Sequence, residues 1–302
     1  MTLLLGAVTG WLLLASLAVC TGVVLGRWIV LTPRGAASAE PGGGLAAHAA
    51  RLGRVSAALL GLALALVLAR QLLEFHDPFE PWSADARLLL GATPWGMAWI
   101  VAVGLTLAAL AGFQGAARRL TAGWWTATAA VLALGALPAF TGHANVGEAR
   151  GLTLTADTLH VWAAGGWIGG LTLVLFLELG QRRAKGPGAP SLLPVLVPRF
   201  SRLAMACVAV LLVTGGFAAW AHVGGVGALV GTVYGRLLLL KIALAALVLA
   251  AGAVNFKRIA PRLDGPPGQR AMVRAASLEL ALACAVFAVT AILVRTSPLE
   301  LP

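Results

Sequence analysis

The sequence predicts an all-α integral membrane protein with eight transmembrane helices, and three observations carry that prediction. Only 11% of its 302 residues are charged while 60% are hydrophobic, against about 25% charged in an ordinary soluble domain. Eight apolar runs are long enough to cross a bilayer, which takes about 20 residues. The basic residues between those runs fall mostly on one side. A water-soluble fold of this length could not cover its surface with so few charges, so that class is excluded.

In chain order the runs lie near 3–31, 53–73, 94–113, 121–141, 156–179, 200–222, 234–256 and 273–295. The first lacks a basic leading region and is too long for a signal-peptide core, so it is read as a retained helix. The turns after helices 1, 3, 5 and 7 hold Arg27, Arg34, Arg51 and Arg54; Arg118 and Arg119; Arg182, Arg183, Lys185, Arg199 and Arg202; and Lys257, Arg258, Arg262, Arg270 and Arg274. These are 16 of the 22 basic residues. The positive-inside rule places those turns in the cytoplasm and both termini outside. Glu74, Asp77, Glu80, Asp85, Glu148, Asp157 and Glu300 lean to the outer face. The net charge of +11 therefore orients the bundle and gives no sign of nucleic-acid binding. Cys20, Cys207 and Cys284 lie far apart in apolar runs, so no disulfide framework is expected.

The chain repeats itself. Helix 2 opens with Arg54-Val55-Ser56 and helix 6 with Arg199-Phe200-Ser201. Helix 3 opens with Thr93-Pro94-Trp95-Gly96 and helix 7 with Thr232-Val233-Tyr234-Gly235. The reading is two four-helix halves, 1–141 and 142–302, in the same orientation, related by a pseudo-two-fold along the membrane normal. His76 lies 20 residues after Ser56 and His222 lies 21 after Ser201. Both thus end outward-running helices at nearly one height.

Of five histidines, His76, His143, His160 and His222 fall at or near the outer face, and only His48 lies in a cytoplasmic loop. Imidazole is the commonest metal ligand, and nitrogen with carboxylate donors suits Cu(II), Zn(II) or Ni(II). Asp157 and His160 stand at i and i+3 on one helical face, and Asp77 adjoins His76. For each histidine the plainer reading is an interfacial anchor. His160 is predicted about one turn inside its helix, where polar side chains are costly. Met97 and Cys207 are soft donors along a candidate path, although both are also ordinary core residues. Glu279, Lys241 and Glu178 are intramembrane charges that mark an ion path. The alternatives are snorkelling for Lys241 and Glu178 and, for Glu279, pairing with a cytoplasmic-side arginine. An aromatic belt accounts for most tryptophans, Trp82, Trp99 and Trp162 among them. Gly165-Gly166 and Gly169-Gly170 permit close helix contact. No Walker, GxSxG or HExxH motif occurs, so the chain is read as no enzyme.

Several strings resemble the CopD family of bacterial copper-resistance membrane proteins. They are Phe140-Thr141-Gly142-His143-Ala144, Leu159-His160-Val161-Trp162-Ala163-Ala164-Gly165-Gly166-Trp167-Ile168-Gly169-Gly170, Arg199-Phe200-Ser201-Arg202-Leu203-Ala204 and Tyr234-Gly235-Arg236-Leu237-Leu238-Leu239-Leu240-Lys241. The likeness is clearest over about 138–263. It implies a multi-pass inner-membrane protein for copper transport and tolerance, which takes copper from the periplasm by import in the company of a small CopC-like copper-binding protein. Together with the one-sided histidines, it implies entry through an outer His/Asp site. By motif, His143 and His160 become the functional histidines, and Arg236 and Lys241 motif residues without an assigned role. The alternative is a cytochrome-like electron carrier or copper-linked reductase in which histidines hold haem b.

Overall fold

The computed structural model describes residues 2–32, 42–141, 150–186, 190–222 and 226–296, and every regular element among them is helical. They are α1 (Thr2–Ile29), α2 (Gly42–Phe75), α3 (Trp82–Ala92), α4 (Pro94–Ala117), α5 (Thr121–Thr141), α6 (Arg150–Ala164), α7 (Gly170–Lys185), α8 (Leu193–His222), α9 (Val226–Gly231), α10 (Val233–Val254) and α11 (Pro266–Leu293). A π-helical segment, Gly165–Gly169, joins α6 and α7 into one span, and another, Asn255–Ile259, extends α10. Eight stretches among the described residues are long and apolar enough to cross a membrane. The chain is a multi-span all-α membrane protein.

The spans outrun the hydropathy-based boundaries. The second covers Gly44–Phe75 and the fifth Gly151–Lys185, because helices continue past the apolar core into interfacial residues whose long side chains reach water. His160 consequently stands ten residues into α6, deeper than the one turn expected. The short helices α3 and α9 have no counterpart in the sequence reading. Each leads into a long helix through a threonine cap: Thr93 Oγ1 accepts from Gly96 N–H at 2.9 Å, and Thr232 Oγ1 from Gly235 N–H at 2.9 Å. The caps satisfy first-turn donors that would otherwise be stranded near the bilayer.

The core is built around α1, which packs against α2, α5, the Gly165–Gly169 segment, α7 and α11. Glycine makes the closest of these contacts possible. A Cβ on Gly22 would meet the Gly169 carbonyl carbon at 2.0 Å, and one on Gly169 would meet the Ala18 carbonyl oxygen at 1.9 Å. Backbone therefore lies on backbone along this seam, as small residues at i and i+4 allow. Trp99 and Trp162, expected in an interfacial belt, instead donate inward to the Leu64 and Leu132 carbonyls at 2.9 and 3.0 Å.

Closure differs along the chain: among the described residues α2 packs on α4 and α4 on α5, whereas α10 packs on α11 but makes no substantial contact with α8. Only 6% of the apolar stretch of α10 is buried. At the arginine-rich end, Arg54 donates to Gln114 at 2.5 Å and Arg199 to the Val30 carbonyl at 3.2 Å. Glu178 neither snorkels nor faces a path. It is fully buried and accepts from Arg182 Nε at 2.5 Å, Ser191 Oγ at 2.9 Å and Leu192 N–H at 2.7 Å, tying the α7–α8 connection to α7.

Candidate metal-binding histidines and an intramembrane carboxylate

His76 follows the last residue of α2, and the chain then turns back through α3. That turn carries Asp85 beneath the imidazole: His76 Nδ1 lies 2.6 Å from Asp85 Oδ2, and Asp77 N–H donates to the same oxygen at 3.3 Å. Trp82 stacks on the ring at 3.7 Å between centroids and 14° between planes. Asp85 is only 5% exposed. A carboxylate on Nδ1 makes that nitrogen the donor, so that in the neutral imidazole Nε2 carries the lone pair, the arrangement common among metal-bound histidines. The Asp77 carboxylate is occupied locally, Oδ1 accepting from Phe79 N–H at 2.9 Å. Nearby, Glu74 accepts from Arg70 and forms an ion pair with Arg295, Nη2 lying 3.5 Å from Oε1. Desolvation pulls the Arg295 guanidinium below its ordinary pKa; the charge of Arg70 acts in the same direction and Glu74 opposes it.

His160 reaches the same state by different means. Its Nδ1 lies 2.9 Å from Thr214 Oγ1 on α8. The Thr214 hydroxyl gives its single proton to the Val210 carbonyl at 2.8 Å, so it accepts from Nδ1–H and again leaves Nε2 free. Lys241 on α10 lies within electrostatic range of His160 and of Asp157, one turn earlier on α6.

The other candidates are scattered. Met97 is 54% exposed on α4, and Arg236 is exposed near the start of α10. Cys207 is buried against Gly166 of the π segment. His143 lies outside the described residues, and His222 is described only as the last residue of α8. Among the described residues no three His, Cys, Asp or Glu side chains come together as a metal site. Glu279 does not pair with an arginine. It is 4% exposed and accepts from Trp167 Nε1 at 3.1 Å and Asn255 Nδ2 at 2.9 Å.

Asp85, Thr214, Trp167 and Asn255 are the residues that sequence reasoning missed as partners. Asp85 was visible as an outer-face acid, but its pairing spans a turn of nine residues; Thr214 and Asn255 carry no signal beyond being polar in an apolar run.

Residues 194–293 match the family described as Copper resistance protein D. The chain is 32% identical over 212 residues to the Copper transport protein CutJ of Bacillus subtilis (strain 168), covering 67% of this chain but only 38% of that protein. It is 27% identical over 264 residues to the Copper resistance protein D of Pseudomonas syringae pv. tomato, covering 80% of this chain and 82% of that protein. No solved structure matches it significantly. With its eight long apolar helices, its family match and these two relatives, the chain belongs to the CopD family of multi-pass bacterial membrane proteins.

Proposed function

We propose that this protein carries copper across the bacterial inner membrane, taking it from the periplasmic side by import and so contributing to copper tolerance. The family match and the names of the two relatives support copper as cargo. The observation that carries the site is the shared state of His76 and His160: each imidazole is held through Nδ1, so each offers Nε2. His76 is the capture ligand at the mouth and His160 the ligand within the span, with Asp77, Asp157, His143 and His222 as further donors on the same side. A CopC-like periplasmic protein is the fitting source, and no step of this reading requires catalysis.

The test pairs whole-cell copper content with copper titration of the purified protein, for wild type, His76→Ala and His160→Ala. Both variants are expected to accumulate less copper and to bind it at least tenfold more weakly. Accumulation and binding at wild-type levels in both would overturn the proposal.

A further inference from the structure

The seam between α8 and α10 holds a cavity of about 530 Å³, lined mainly by apolar and aromatic side chains, with Glu279 on its wall. Small-molecule pockets commonly have this size and this mixture of apolar wall and few polar groups. No Lys, Arg or His lies within ion-pairing distance of Glu279 among the described side chains. Its two donors, Trp167 and Asn255, are both neutral and both stand in π-helical segments. Such segments gather at functional sites.

The first half shows what fills the corresponding seam. Phe113 stands twenty residues after the capping Thr93, and Gly252 twenty residues after the capping Thr232. Phe113 is fully buried between α4 and α2, its ring against Gly53. At Gly252 that ring is missing, and a Cβ there would meet Glu279 Oε1 at 3.4 Å. Read as repeats, one half supplies its own aromatic plug and the other leaves the space open beside a carboxylate.

We propose that this cavity binds a membrane-dissolved hydroquinone. Its ring takes the place that Phe113 fills in the first half, and one hydroxyl donates to Glu279. Depth selects a neutral head: Glu279 lies at the midpoint of α11, Pro266–Leu293, whereas phospholipid heads and protonated amines keep their charge at the interface. The proposal rests on the repeat and not on copper, and either reading can fail without the other.

The experiment titrates the protein in nanodiscs, under anaerobic conditions, with tritiated 2-decylhydroquinone, using decylbenzene and decylamine as competitors. Saturable binding is expected, displaced by neither competitor. Glu279→Gln should weaken it about tenfold, the worth of one buried hydrogen bond. Gly252→Phe should abolish it while holding or raising the thermal midpoint, which separates a filled cavity from a misfolded chain. Four results would overturn the proposal: no saturable binding, displacement by decylbenzene (an apolar groove only), displacement by decylamine (a cation site), or unchanged binding in Gly252→Phe.

Discussion

Asp85 and Thr214 act on their histidines in the same sense by different chemistry. A buried carboxylate holds one imidazole and a hydroxyl, itself fixed to a helix carbonyl, holds the other. The carboxylate is the stronger acceptor, so the test belongs at Asp85. Asp85→Asn is expected to lower copper affinity about 10- to 100-fold, the usual effect of losing a partner behind a metal-bound histidine. Competition with a chelator measures it, and the thermal midpoint is expected to stay near wild type. The histidines were legible only as candidates, because the sequence predicts four of five toward one face. Their partners were not. Asp85 meets His76 only because α3 folds back beneath α2, and Thr214 meets His160 across 54 residues of chain.

At the scale of the element, the Gly165–Gly169 segment decides how closely α1 approaches the α6–α7 span. Gly169→Ala places a methyl on the Ala18 carbonyl, which cannot move without moving α1. The expected cost is about 1–3 kcal/mol, read as a lower thermal midpoint in detergent. Gly216→Ala, where nothing lies within 4 Å, makes the same chemical change and is expected to be neutral or slightly stabilising. The eight spans were legible because hydropathy is a property of composition. The paired glycines announced a close contact, but the π register did not, since a shift in backbone pairing leaves no mark on residue type. The 11-residue α3 and 6-residue α9 fall below the length at which periodicity or apolar run separates helix from loop.

For the whole molecule, the sorting of 16 of 22 basic residues makes a statement about topology that the coordinates alone do not. A reporter enzyme active only in the periplasm, fused after Pro302, is expected to be active, and the same reporter placed in the connection between α7 and α8 inactive. The reverse pattern would invert the proposed direction of copper movement. Helices on either side of residue 141 pack on one another, α5 on α6 and α1 on α11. The face of α1 bearing Gly6 and Gly10 is covered by Arg295 and Ala291, from the far end of the described chain. Because α1 is synthesised long before α11, its glycine face must wait in the membrane, covered by lipid or by an insertion factor, until the last described span arrives. Assembly therefore ends when α11 meets α1 and is not a pairing of finished halves. A chain cut at 141 would leave α1 without its final neighbour, so its N-terminal fragment would persist only where the C-terminal fragment is made alongside it.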